Sequence, residues 1–132
     1  MRLLLDTCSY SDMRRGDPET ARLVRAAAKI YLSAIVVGEL MSGFRSGSRM
    51  DSNLRELEEF LASPFVEFLP VTLTTADRFA RISADLRAAG TPIPTNDVWI
   101  ASHALEKGAD LVSTDTHFER IRGLVWIDPS RK

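Results

Sequence analysis

Cysteine is almost missing from this chain: Cys8 is the single one in 132 residues. One thiol closes no intrachain disulfide, so a reducing cytoplasm is the expected compartment. Long apolar runs are also missing. The longest uncharged one, Ile30 to Gly38, is too short to span a bilayer. Asp6 interrupts the only apolar stretch near the start, so no secretory leader is expected there. With only two histidines and one cysteine, the donors of a Cys/His zinc site are lacking. A large excess of either charge is absent too, since the formal net charge is −1. The balance is uneven, with residues 1–50 at +3 and residues 51–132 at −4. That excludes a uniformly basic, nucleic-acid-coating surface. It leaves room for a local basic rim, for which Arg14, Arg15 and Arg45 are candidate phosphate contacts.

What is present is enough apolar material for a core. Apolar residues make up 45% of a 14.7 kDa chain, which excludes wholesale disorder. A folded chain of this mass exposes roughly 7,000 Å² against about 21,000 Å² unfolded, and a single domain over residues 1–132 is expected. RLLLD, residues 2–6, reads as a short buried strand ending in a carboxylate. Asp17, Pro18 and Glu19 open a helix through a cap, a preset φ and a charge that suits the dipole. IYLS leads to Ser33, the expected cap of AIVVGELMSGF, on which Val36, Leu40 and Phe44 form an apolar stripe. DSNLRELEEFLAS is helical, VEFLPV a strand, and TTADRFARISADLRAAG a long helix stopped by Gly90. A further helix carrying Asp97 is predicted to be capped by Thr95 and to end near Gly108. The strands ADLVSTD and LVWI follow. Short strands alternating with helices predict a three-layer α/β/α sandwich with a mainly parallel sheet.

Four acids occupy informative places in that pattern. Asp6 and Asp115 terminate strands, where open parallel sheets bind ligands. Asp97 sits in the first turn of its helix, with the small Ala101 and Ala104 following on its face. Neither alanine offers it a counter-charge. Glu39 interrupts IVVGELM, where burying an acid is costly unless something positive meets it. Two carboxylates about 4 Å apart repel by roughly 4 kcal/mol at an effective dielectric of 20, so a bare cluster takes up protons or spreads. A hard divalent cation removes that penalty, and Mg²⁺ or Mn²⁺ prefers oxygen ligands. A water on such an ion attacks a phosphodiester in line.

With the acids placed, the chain resembles the PIN-domain ribonucleases, and within them the VapC toxin branch of the VapBC toxin–antitoxin systems. The resembling segments are LLLDTCSYSD, SAIVVGELMSG and IPTNDVWIASHALEKGADLVSTDTHFERIRGL. The resemblance implies a Mg²⁺- or Mn²⁺-dependent endoribonuclease acting on RNA, a homodimer, and a VapB-like antitoxin that binds it in a hetero-oligomer. It matches Asp6, Glu39, Asp97 and Asp115 to the family's acidic quartet, Thr7 to the hydroxyl beside the first acid, and Thr114 to the one before the last. Leu54, Leu57, Phe60 and Leu61, with Phe44, are candidates for an antitoxin groove, although core packing is their simpler role. The chain departs from many relatives at His117, where they carry another acid or a basic residue, so no ligand role is carried over to it.

Two rival readings use other residues. Cys8 to Arg14 has the C-x₅-R spacing of cysteine phosphatases, but no glycine lies between them and Asp6 and Asp12 oppose a thiolate, so Cys8 is expected to be a small buried or half-buried residue. An acidic, receiver-like signalling module needs a lysine at a strand end, and neither Lys29 nor Lys107 is placed there. His103, about 120° around the helix from Asp97, is expected on the helix surface, and Trp99 and Trp126 are expected to pack rather than to stack on bases.

Overall fold

The computed structural model describes residues 1–131. Five parallel strands, β1 (Arg2–Leu5), β2 (Lys29–Ser33), β3 (Val66–Leu69), β4 (Asp110–Val112) and β5 (Trp126–Ile127), form one sheet in the order β3-β2-β1-β4-β5. Six helices connect them: α1 (Thr7–Arg14), α2 (Pro18–Ala26), α3 (Ala34–Arg45), α4 (Met50–Ala62), α5 (Leu73–Ala88) and α6 (Thr95–Lys107). The chain steps outward from β1 through β2 to β3, then returns to the other side of β1 through α5 and α6. Right-handed crossovers therefore put α1–α4 on one face and α5 and α6 on the other, the α/β/α sandwich that the alternation predicts. Leu3, Leu4 and Leu5 are all fully buried, as a central strand covered on both faces requires.

Several local rules hold. Asp17 accepts from the Thr20 amide with Pro18 at the first helical position, and Ser33 accepts from the Ile35 amide. Val36 and Leu40 are in the core, with Phe44 packed against it. Gly108 ends α6 at φ +62, a left-handed value that glycine adopts without steric cost. Leu57 is fully buried, and Phe44, Phe60 and Leu61 pack against the core, so the apolar side of α4 serves mainly the interior. Trp99 stacks on Phe79 with ring centroids 3.9 Å apart, and Trp126 donates to the Ser113 carbonyl at 2.8 Å.

Three expectations need correction. Thr95 does not cap α6: it is the first helical residue, Pro94 holds the cap position, and no side-chain cap bond forms. His103 is not on the surface but completely buried, because α6 is enclosed by both the sheet and α5. Its Nδ1 pairs with Ser33 Oγ at 2.8 Å and its Nε2 with the Pro70 carbonyl at 3.0 Å. Burial holds its pKa below the ordinary value, which keeps it neutral with the proton on Nε2. Cys8, taken as a small buried or half-buried residue, is exposed on α1. The helix α1 itself has no apolar stripe in TCSYSDMR to announce it; Asp6 starts it by accepting from the Ser9 amide.

Candidate active site

β1 lies between β2 and β4 at the point where the chain reverses its direction across the sheet, the place beyond the strand ends where open parallel sheets form their ligand crevice. Asp6 leaves β1 into this crevice. It is only 7% exposed, its amide donates to Val112 of β4, and its Oδ1 accepts from the Ser9 amide at 2.8 Å. Burial pushes its pKa up; hydrogen bonds from Ser113 and Ser9 oppose this, and the charge of Asp115 adds to it. Across the crevice, Asp115 follows β4 and starts the 3₁₀ turn Thr116–Arg120, its Oδ1 accepting from the His117 amide at 2.9 Å.

Asp97 reaches the same place from the first turn of α6. Burial is the main cause of its raised pKa; His117 opposes the rise, while Asp115 and Asp6 reinforce it. The charge of Asp115 bears on both Asp6 and Asp97, and that of Asp6 on Asp97, which puts three acids from distant parts of the chain in one electrostatic field. Glu39 approaches from α3 with both carboxylate oxygens occupied. Thr7 Oγ1 donates to Oε1 at 2.6 Å and Asn96 Nδ2 donates to Oε2 at 3.1 Å. Thr7 thus joins α1 to α3, and Asn96 joins the acid of α3 to the helix that carries Asp97. Among the described residues, no lysine or arginine comes within 4.0 Å of any of these four carboxylates.

His117, to which no role was carried over, lies inside the cluster. Its Nδ1 is 3.1 Å from Asp97 Oδ2 and 2.9 Å from Asp115 Oδ1, and these three groups offer ligand atoms all within 4.8 Å of one another. Thr114 is exposed, while the neighbouring Ser113 supplies the hydroxyl that meets Asp6 and receives the Asp115 amide. Ser9, Asn96 and Ser113, to which the sequence assigned no role, therefore also meet these acids, as does His117, whose role the sequence left open. For Asn96 the signal was its place directly before Asp97; the two serines had none beyond proximity to an acid.

The candidate cations behave differently from one another. Arg14 is turned away into the α1–α4 seam, where Nε donates to Tyr10 Oη and Nη2 to the Glu56 carbonyl, with the guanidinium over Tyr10 and Phe60. Arg15 pairs with Asp12, and Arg45 stands exposed in the last turn of α3, the helix of Glu39. The phosphatase reading fails on the same helix. Cys8 and Arg14 are both within α1, so no loop of amides cradles a phosphate, and partial desolvation of the otherwise exposed residue's thiol, with the surrounding acids, pushes its pKa up. Lys29 opens β2 at the opposite end of the sheet and pairs with Glu67, which removes the lysine a receiver site needs.

Fold and site together define an α/β/α protein with a cluster of acids at the carboxyl edge of a parallel sheet, a donor set of the kind that suits a divalent cation. The chain belongs to the PIN-domain family, whose model, described as "PIN domain", matches residues 3–124, and to the VapC branch within it. It is 34% identical to the plasmid stability protein StbB of Pseudomonas syringae pv. tomato over 96% of this chain and 97% of that one. It is 32% identical to the ribonuclease VapC2 of Haemophilus influenzae over 94% and 95% of the two chains. Its fold superposes on a chain of VapBC-1 from nontypeable Haemophilus influenzae with a TM-score of 0.85 at 26% identity, covering 99% of this chain and 100% of that one.

Proposed function

We propose that this chain is a divalent-metal-dependent endoribonuclease, a single PIN nuclease domain over residues 1–132 acting as the toxin of a toxin–antitoxin pair. One observation carries the reading: Asp6, Asp97 and Asp115 share one electrostatic field at the sheet edge and Glu39 is tied to Thr7 and Asn96 beside two of them, with no lysine or arginine among the described residues within 4.0 Å of any of the four. The names of the relatives, a ribonuclease VapC2 and a VapBC assembly, support it. So does the chemistry of the donors. Carboxylate oxygens suit Mg²⁺ or Mn²⁺, and the raised pKa values of Asp6 and Asp97 mark anions in want of a positive partner.

Asp6, Asp97 and Asp115 would hold the ion, with Glu39 reaching it directly or through water. When bound, the ion supplies an acidified water as nucleophile and stabilises charge developing on the phosphate. The rest is the work of the chain. Ser9 and Ser113 orient Asp6 by donating to it. Thr7 and Asn96 fix the Glu39 carboxylate while leaving each oxygen a lone pair, so Glu39 is placed to orient a water and accept its proton. A groove lined by Ile35, Gly38, Glu39, Ser42, Gly43 and Asn96 opens on this side and gives an RNA strand a path to the acids. Arg45 is the candidate phosphate contact best placed beside it; Arg14 and Arg15 are engaged within the protein. A VapB-like antitoxin partner, a homodimer and a cytoplasmic location complete the proposal. None of the helices described is long and apolar enough to cross a membrane.

The test is to sequence RNA ends after the purified protein acts in magnesium, in manganese and in chelator. Cleavage is expected with either ion and not in chelator. Cleavage that persisted at the same rate in chelator would defeat the proposal.

A further inference from the structure

We propose that His117 is a direct ligand of the metal site through Nδ1, and that this imidazole tilts the site toward Mn²⁺ over Mg²⁺. The inference rests on the nuclease reading and sharpens its choice of ion. Two ligand atoms at about 2.1 Å from an octahedral ion stand about 3 Å apart when they are neighbours on it. His117 Nδ1 lies 3.1 Å from Asp97 Oδ2 and 2.9 Å from Asp115 Oδ1, the separations of neighbouring ligands.

The ring owes its place to the backbone. The His117 amide donates to Asp115 Oδ1, and the next residue, Phe118, is 1% exposed and anchors the 3₁₀ turn in the core. Here Nδ1 donates to Asp97 Oδ2, but among the described residues Nε2 has no protein partner, so the ring proton can be carried on Nε2 instead, which frees the Nδ1 lone pair for an ion held between the two carboxylates. An imidazole nitrogen suits first-row transition ions, whereas Mg²⁺ keeps to oxygen. A site in which an imidazole joins the carboxylates is thus less favourable to Mg²⁺ than a site of carboxylates alone.

The composition makes the test clean, because the chain has two histidines and the other one, His103, is fully buried with both nitrogens occupied. Pulsed EPR on the untagged protein loaded with Mn²⁺ should record imidazole-type ¹⁴N modulation of the ion. His117→Asn, which retains an amide donor near the Nδ1 position, should lose that modulation. It should also weaken Mn²⁺ binding about 10-fold and Mg²⁺ binding less than about threefold by competition titration. Bound Mn²⁺ without nitrogen modulation in the parent protein, or equal losses for both ions in the variant, overturns the inference. If Mg²⁺-dependent RNA cleavage persists alongside that result, the nuclease reading stands and only the imidazole ligand is lost. A parent protein that binds neither ion overturns both.

Discussion

The acids at the carboxyl edge of the sheet and those on the outer helices are treated in opposite ways. Around the crevice, burial and the charge of Asp115 raise the cost of ionising Asp6 and Asp97, and the acids meet serines, backbone amides and an imidazole. On the outer faces of α1, α2 and α5, Asp12, Glu19 and Asp77 each pair with an arginine one helical turn away. Exposed pairs of that kind contribute little to stability, but they show that the chain does not lack cations to spend on its acids. Two of the candidate phosphate contacts, Arg14 and Arg15, are directed elsewhere. Local frustration of charge is thus confined to one place, where a ligand relieves it.

The contrast can be broken most severely at the crevice. Asp97→Asn should lower metal-dependent RNA cleavage about 100-fold or more, since it removes a proposed ligand and keeps the shape of the side chain. The corresponding change in an outer pair, Asp77→Asn, should leave the rate within about twofold, and both are read by single-turnover cleavage. Next in size is the buried polar link between the layers. His103→Ala should destabilise the fold by about 3 kcal/mol in denaturant titration, because it opens a cavity and strands Ser33 and the Pro70 carbonyl. A loss below about 1 kcal/mol would mean that the link carries little of the packing between α6 and the start of α3.

Arg14→Ala should cost about 1 kcal/mol through lost contacts with Tyr10, Phe60 and the Glu56 carbonyl. It should leave RNA cleavage nearly unchanged; a large drop in RNA affinity would return Arg14 to the substrate path. The smallest effect has the opposite sign. Because the folded pKa of Asp6 lies above its unfolded value, the folded state binds more protons, and metal-free stability falls as pH rises through that window. Asp6→Asn keeps a good helix cap and removes this penalty, so its melting temperature without metal should exceed the parent's at neutral pH. The gap should close below the ordinary value of 3.8, where the parent's carboxyl is protonated in both states. A variant that melts lower at neutral pH would show that capping by the ionised carboxylate outweighs desolvation.

The acids were the readable part of the site because each announces itself locally: Asp6 and Asp115 by ending strands, Asp97 by opening a helix, Glu39 by interrupting an apolar run. Their supports were not readable. Asn96 and Ser113 are neutral and common in loops and helix starts, and only the approach of α3 to α6 and of β4 to β1 gives them work. His103 was misread for a physical reason. Helical periodicity identifies one buried face, but α6 is buried from Val98 through Ala104 on more than one side. His117 was undervalued because the relevant neighbour, Asp97, is twenty residues away and reaches it only in the folded chain.

By itself the sequence determined the alternation of strands and helices, most of their caps, and which acids stand at element ends, since these depend on neighbours a few residues apart. Only the tertiary structure decided that the acids share one crevice, that His117 joins them and that Arg14 does not. Those outcomes depend on the order of strands and on side chains meeting across long separations, and no local pattern encodes either.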